Sequence, residues 1–505
     1  MFNRYKIFAA YLLAIPLALV LGVLAASPNE LTFMLIAMLM FFLALPIFIK
    51  WHHALLIALW NSAFSAYFLP GEPSFCLMVA VLSFGLSILN HIMGRKPFLS
   101  VPEMTRPLLF LALVVAGTAC CRGRLGIRIL GGAVHGGRNY IYVLGAIIGY
   151  FALTAGRIPI FKSRKMAGWF FFSGTSGVLS NVAYTLGPAF YPLYFVVPAV
   201  YAAGQAQSDF GTTAMDRIGG LAPACVAGTC FLLVRYGIRG LCDCTRPWRF
   251  LFLAVTLGAS FFAGYRWIFA LLILIFVFQF YFEGLLRTRL FPALAALAIL
   301  AFVPLMHYAN KLPFSVQRTI SFLPVNVDSG IRAEAMATID WRFQMWSLVW
   351  KDAPQYFILG KGYSIDPTEM ESTLEAIQMG LLNNYEEQIL AGDYHSGPLS
   401  VIIPFGIIGA VAFLWVIAAG FRVLYLNYCN GDPRLRLINS VLLSYFAAEC
   451  VCFLLLFGSF STDLFVFLGP VGLGISLNGG VQRTPKADLE RLRDLQPQVY
   501  ALEVE

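Results

Sequence analysis

The stretch PLSVIIPFGIIGAVAFLWVIAAG, residues 398–420, decides the fold, because it contains no Asp, Glu, Lys or Arg. A helix needs about 20 apolar residues to cross the ~30 Å hydrocarbon core of a bilayer. Similar segments recur along the chain, and some are shorter than that length, so the sequence predicts about 12–14 transmembrane helices. We place fourteen apolar segments near residues 8–26, 31–49, 53–69, 75–92, 107–121, 139–155, 168–186, 219–236, 249–264, 267–285, 288–306, 398–420, 435–457 and 459–476.

The composition supports the same fold class. Of 505 residues, 59% are apolar and 12% are charged, whereas soluble domains average ~45–50% apolar and ~25% charged residues. A soluble globular enzyme and a disordered chain are therefore excluded, and we predict an all-α polytopic membrane protein. The net charge of +9 indicates basic cytoplasmic loops and contact with the lipid bilayer, not nucleic-acid binding.

Loop charges and one long polar segment predict the domain organisation. With the N-terminus inside, the loops predicted to be cytoplasmic all carry Lys or Arg, as the positive-inside rule requires. The long polar segment, about 90 residues between the spans ending near Tyr308 and starting near Leu399, then lies outside the cytoplasm. Loops longer than ~15 residues are uncommon unless they are functional. The predicted parts are an N-terminal transmembrane bundle (1–306), the external loop domain (307–397), C-terminal transmembrane helices (398–476) and a cytoplasmic tail (477–505).

The external loop is predicted to be partly helical. Apolar residues recur at helical spacing over about 331–352. A second helix is predicted over about 367–390, with Asp366 as its N-cap and Pro367 at its first position.

Several cations lie on the predicted external side, where the topology bias disfavours them. Arg217 and Arg266 are close to span ends, and Arg342 is in the long loop. Four further arginines fall in 122–138; either that span is misplaced or these charges have a use, and the sequence leaves both open.

His395 ends the long loop, close to Asp393, in the sequence GDYHSGP. Earlier in the same loop, Trp341 precedes Arg342, and Trp346 is four residues further on. Since helix positions four apart share a face, we expect the Arg342 guanidinium to lie against the Trp346 indole.

Motifs for other chemistries are missing from the sequence. It contains no GxxxxGK[ST] phosphate loop, no HExxH and no GxSxG. The ten cysteines have no zinc-ligand spacing. We therefore expect neither a metal site nor a cofactor.

The order of the charged motifs resembles the O-antigen ligase and O-antigen polymerase superfamily. The elements are Tyr265-Arg266 at a span end, Trp341-Arg342 in a long external loop and His395 at the end of that loop. Arg217-Ile218-Gly219-Gly220 looks like a further Arg-x-x-Gly element of the family. The resemblance covers about residues 130–480. The chain departs from the family at Tyr265, where Ser is frequent, and at Ser396, where Asn often follows the histidine.

The resemblance implies a GT-C-like, metal-independent, inverting glycosyltransferase in the bacterial inner membrane, with its active site facing the periplasm. The donor would be a glycan on undecaprenyl diphosphate. The acceptor would be a lipid A core sugar, another lipid-linked glycan or a protein hydroxyl, as in lipopolysaccharide or surface polysaccharide assembly.

The residue chemistry agrees with this implication. Charge grows on the departing diphosphate, and planar guanidinium groups match phosphate oxygens. Arg266 and Arg342 are the candidates for this role, with Arg217 as a third. An imidazole is partly neutral near pH 7 and can remove the acceptor proton, so His395 is the candidate base and Asp393 its rival or orienter. Trp341 and Trp346 are candidate substrate contacts.

Two alternatives remain open. A repeat-unit polymerase of the same family differs from a ligase only in its acceptor. A polysaccharide transporter or flippase is the weaker alternative, because transporters usually hold ionisable groups inside their spans. The sugar and the oligomeric state cannot be read from the sequence.

Overall fold

The structure is a computed structural model that describes residues 16–23, 30–94, 98–122, 136–209 and 217–483. Over these residues the chain is helical and forms no strand beyond one isolated bridge between Ser65 and Ser74. The all-α fold class is confirmed. The helices are α1 (Glu30–Leu59), α2 (Phe75–Ile92), α3 (Pro102–Cys121), α4 (Gly137–Thr154), α5 (Ile160–Phe172), α6 (Val178–Leu186), α7 (Val200–Asp209), α8 (Leu221–Leu241), α9 (Trp248–Phe262), α10 (Arg266–Phe282), α11 (Leu290–Tyr308), α12 (Phe314–Ile320), α13 (Ser329–Asp352), α14 (Pro367–Gln378), α15 (Asn384–Ala391), α16 (Gly397–Asn430), α17 (Arg436–Leu455) and α18 (Phe460–Asn478).

The chain divides into two units, Met1–Leu55 and Leu56–Glu505. The first contains most of α1. The second contains α2 to α18 and every residue of the candidate site.

Seven helices in the described part of the chain are long and apolar enough to cross a membrane. They are α2, α3, α8, α11, α16, α17 and α18. The apolar helices α9 and α10 are shorter, at 15 and 17 residues. The chain is therefore a multi-pass membrane protein, and the predicted total of 12–14 spans stays a prediction.

The interior of the helical bundle is built around α16, α17 and α18. Small residues let helices approach closely, as is usual between membrane helices. A Cβ on Gly469 of α18 would lie 2.2 Å from the Trp60 indole nitrogen, and one on Gly420 of α16 would lie 2.9 Å from the ring of Phe446. Both glycines therefore serve close packing.

A break in α16 attaches the long polar loop (residues 307–397) to the membrane helices. Gly406 has a φ of +65°, a conformation that favours glycine, and it follows Pro404. The loop residues Lys361 and Gly362 donate backbone hydrogen bonds to Ile403 O (2.7 Å) and Pro404 O (2.9 Å). Loop backbone thus pairs with carbonyl groups beside the kink, and these hydrogen bonds satisfy polar groups that the break in the helix exposes.

The helices of the long polar loop confirm most of the local prediction. The first predicted helix is α13. Asp366 caps α14, because its side chain accepts a hydrogen bond from Thr368 N at 3.0 Å, and Pro367 is the first residue. The single helix predicted over 367–390 is wrong: Gly380, with φ +72°, ends α14, and α15 starts after a turn. The proposed domain boundaries stay predictions.

The arginine-containing segment 122–138 is described only at its ends. Arg122 donates from Nε to Gly360 O at 2.8 Å, and its guanidinium lies over the Tyr356 ring at 5.9 Å. Arg122 is therefore on the same side of the bundle as the long loop, which opposes the misplaced-span alternative for this residue. Residues 123–135, which include Arg124 and Arg128, and residues 484–505 of the predicted tail lie outside the described residues.

Candidate active site

A tight turn between α15 and α16 positions His395 and Asp393. The His395 Nδ1 lies 2.8 Å from Asp393 Oδ1, and the His395 backbone N–H donates to the same oxygen at 3.4 Å. His395 has a φ of +49°, which is uncommon for a residue with a side chain. The pairing of Nδ1 with a carboxylate directs the other ring nitrogen, Nε2, away from Asp393.

Two aromatic rings enclose the imidazole. The ring of Trp341 on α13 has its centroid 5.7 Å from that of His395, and the ring of Phe457 lies at 5.3 Å. Phe457 belongs to the link between α17 and α18, and it stacks on Trp267 of α10 at 5.6 Å. The His395 side chain keeps 22% of its surface exposed, so the imidazole remains accessible.

Arg342 lies next to this enclosure. Its guanidinium carbon is 5.8 Å from the centroid of the Phe457 ring. Burial lowers the pKa of Arg342, the charge of Arg266 lowers it further, and Asp393 opposes both effects. Within the described chain the buried Arg342 Nε has no hydrogen-bond partner. Buried polar groups are normally satisfied, so this donor is suited to a ligand.

Arg266 and Arg217 extend the positive charge. Arg266 begins α10 and donates from Nη2 to Ala335 O of α13 at 3.2 Å. The Arg217 guanidinium lies 5.5 Å from the Tyr265 ring, and burial lowers the pKa of Arg217. A Cβ on Gly264 would lie 2.6 Å from Arg217 Cγ, so a glycine is needed where this side chain passes.

A fourth arginine, Arg318 of α12, was not identified from the sequence. It is buried, with an exposed fraction of 7%, and it donates from Nη2 to Thr338 Oγ1 at 3.2 Å. Its Nε is 3.7 Å from Glu334 Oε1. Burial lowers the pKa of Arg318 to about 10, and repulsion from Arg217 and Arg266 contributes. Its charge within the long polar loop was the feature of the sequence that could have indicated it.

The structure therefore brings together the predicted residues Arg217, Arg266, Arg342, Asp393 and His395. We define these five residues with Arg318 as the arginine–histidine site. Its positive groups outnumber the carboxylates, so it is suited to an anion.

The two tryptophans have different surroundings. Trp341 contacts His395, whereas Trp346 donates from Nε1 to Tyr394 O at 2.8 Å and packs on the cluster that contains Val349 and Tyr394. The predicted contact between Arg342 and Trp346 is wrong, because Phe457 is the ring under the guanidinium. The contacts of Trp346 are those of a residue that positions the turn before His395.

Among the described residues, no group of three or more His, Cys, Asp or Glu side chains is arranged to hold a metal ion. All ten cysteines are free thiols.

The fold and the site define a class: a polytopic membrane protein with a cationic, histidine-containing site on one side of the bundle. Residues 217–414 match the family model described as O-antigen ligase, which confirms the resemblance predicted from the sequence. The match supports a ligase- or polymerase-type function in polysaccharide assembly and includes all six residues of the arginine–histidine site. A comparison with curated proteins finds no match.

Proposed function

We propose that the protein is a glycosyltransferase that moves a glycan from undecaprenyl diphosphate to an acceptor hydroxyl at the periplasmic face of the bacterial inner membrane. The observation that carries the proposal is the cluster of four guanidinium groups beside the His395–Asp393 pair. The family match over 217–414 supports it.

The four arginines would bind the diphosphate and stabilise it as it leaves. The acceptor oxygen forms a bond to the anomeric carbon, and the bond from that carbon to the diphosphate oxygen breaks, with its electron pair going to the diphosphate. The developing charge meets preorganised donors, which stabilise it without reorganisation at the moment of reaction. The buried Arg342 Nε is a donor held ready for a phosphate oxygen.

His395 would take the proton of the acceptor hydroxyl. Burial raises the pKa of Asp393, but the hydrogen bonds from His395 outweigh that effect, so its pKa is lowered and the carboxylate is ionised at neutral pH. A carboxylate on Nδ1 stabilises the tautomer whose Nε2 accepts a proton. Attack opposite the diphosphate inverts the anomeric configuration, and the reaction as written uses neither a metal nor a nucleotide.

The proposal is tested by turnover of a labelled undecaprenyl-diphosphate glycan by the protein in reconstituted bilayers, with EDTA and without nucleotide. Lipid A–core lipopolysaccharide and a second lipid-linked glycan are the two acceptors. We expect release of undecaprenyl diphosphate, and the acceptor that is used distinguishes ligase from polymerase. If no transfer occurs and labelled glycan crosses the bilayer, the protein is a transporter and the proposal fails.

The histidine is tested by His395→Ala in the same assay. Loss of a general base typically lowers rates by about 10²–10⁴-fold. His307→Ala is the matched control, because His307 is exposed at the end of α11 and its Nδ1 contacts only Val303 O among the described residues. An equal loss in both variants contradicts the role of His395.

The arginines are tested by Arg266→Ala and Arg342→Ala, which we expect to abolish most transfer while expression is retained. Arg342→Lys keeps the charge without the planar fork, so partial activity is expected. Arg332→Ala on α13 is the control, because Arg332 is exposed and donates to Val325 O. Full activity in either alanine variant contradicts the diphosphate role of that residue.

A further inference from the structure

A second feature borders the arginine–histidine site. A cavity of about 330 Å³ is formed where the first turns of α4, α16 and α18 meet the end of α15. Asp393 is part of its lining, and the four clustered arginines are not among the described residues that line it. The cavity therefore borders the His395–Asp393 pair through Asp393, while Arg342 of the guanidinium cluster borders the pair through Phe457.

The lining chemistry suits a molecule rich in hydroxyl groups. Asn139 contributes an amide, Tyr142 a phenol and Thr462 a hydroxyl, and the Asp393 carboxylate adds an acceptor. Such groups pair with the alternating donors and acceptors of a sugar, and the volume falls within the usual range for small-molecule sites, about 300–1,000 Å³.

The charges of the cavity favour a neutral ligand. Arg138, the cation of its lining, is 3.4 Å from Glu72, and its guanidinium lies over the ring of Tyr142 at 5.6 Å. The Asp393 carboxylate would repel an anionic group. A neutral saccharide is not repelled by Asp393 and does not need Arg138 as a counter-ion.

We infer that this cavity is the subsite for the acceptor sugar, an inference that rests on the proposed function. The displacement needs the nucleophile and the leaving diphosphate on opposite faces of the anomeric carbon. A sugar in the cavity lies against Asp393, and its reacting hydroxyl would extend past that carboxylate to the Nε2 side of His395. A diphosphate at the arginines lies on another flank of the pair. The proton of the hydroxyl goes to His395, and the electron pair of the broken bond goes to the diphosphate.

The test measures donor and acceptor separately for two cavity variants. Asn139→Leu removes the amide at similar volume, and Ala391→Phe places a ring in the cavity that Ala391 lines. Matched controls are Asn310→Leu and Ala333→Phe, which make the same changes at exposed positions. The acceptor probe is whichever of lipid A–core lipopolysaccharide and lipid-linked glycan the wild type uses, and donor binding is measured as the Kd for undecaprenyl diphosphate.

We expect Asn139→Leu to raise the acceptor KM by about tenfold, the effect of one or two lost hydrogen bonds, with an unchanged donor Kd. Ala391→Phe should prevent use of the acceptor and still bind the donor. Thr462→Val, which loses one hydroxyl at nearly constant volume, gives a milder version of the first result if either variant folds poorly.

Three results would overturn the inference. In the first, the wild type transfers glycan, Arg342→Ala does not, and the cavity variants have the wild-type acceptor KM; the proposed function then stands without this subsite. In the second, the cavity variants weaken donor and acceptor equally. In the third, the wild type transfers no glycan, and the proposed function falls with the inference.

Discussion

Replacing Phe457 tests how the arginine–histidine site is held in place, because the Phe457 ring contacts three side chains in or beside that site. The ring stacks on Trp267 at 5.6 Å with an interplanar angle of 16°. It also lies 5.3 Å from the His395 ring and under the Arg342 guanidinium at 5.8 Å. Replacing Phe457 by Leu keeps an apolar side chain and removes all three interactions of the aromatic ring.

The expected magnitude follows from these contacts. Each aromatic pair contributes about 0.5–1.5 kcal/mol beyond its buried area, and a half-exposed cation–π contact contributes about 0.5–1 kcal/mol. Leucine restores part of the packing, so we expect a net loss of about 1–2 kcal/mol in the positioning of His395 and Arg342. At about 1.4 kcal/mol per factor of ten, transfer slows about 5- to 30-fold.

The assay is single-turnover transfer with saturating donor and acceptor, beside thermal unfolding of the same samples. Phe421→Leu is the control, because Phe421 is exposed on α16 and stacks only on Tyr425 among the described rings. A wild-type rate for Phe457→Leu would refute the reasoning. A rate loss that follows the fraction of unfolded protein would also refute it, since the ring would then serve stability alone.

Three further predictions address the parts of the site. Asp393→Asn should slow transfer about 10²-fold or more, and a wild-type rate would contradict the pairing with His395. The variant should also be less thermally stable than the wild type above pH 3.8, the ordinary pKa of the group. This difference in stability should vanish as the pH falls through the lowered pKa of Asp393. Asp366→Ala removes a helix cap and should destabilise the long polar loop by about 0.5–2 kcal/mol, which proteolysis measures. Transfer at low temperature should persist, which the turnover assay measures. Undecaprenyl diphosphate at 100 times its Kd should stabilise the wild type by about 2.7 kcal/mol, seen as a rise in its unfolding temperature. Arg318→Met should reduce that rise, and an equal rise in both proteins would exclude Arg318 from diphosphate binding.

Local sequence patterns predicted those features whose causes are local. The apolar run at 398–420 and the cap at Asp366 depend on neighbouring residues, and both are found in α16 and α14. The long polar loop was predictable because polar residues that cannot remain in hydrocarbon occupy a continuous segment, whereas its location outside the cytoplasm stays a prediction. The arginines were noticed because they oppose the positive-inside bias.

Features set by distant contacts could not be predicted in the same way. Phe457 is 62 positions after His395 in the sequence, and nothing near it indicates that its ring covers an imidazole and a guanidinium. The predicted contact between Arg342 and Trp346 was wrong because helix periodicity determines only which residues share a face. It does not determine which residue from another segment, here Phe457, packs on that face. The Trp346 indole found a backbone carbonyl, Tyr394 O, as buried indole N–H groups usually do.

The division of the arginines between chain segments has a mechanical consequence. Arg217 and Arg266 lie at the starts of apolar helices, whereas Arg318 and Arg342 belong to the long polar loop. Like charges that are partly desolvated repel each other, and the lowered pKa of Arg318 and Arg342 reflects that burial and repulsion. A bound diphosphate would cancel the repulsion and join the two segments through shared phosphate oxygens. Donor binding would therefore strengthen the attachment of the loop that carries His395 to the helices beside Arg217 and Arg266.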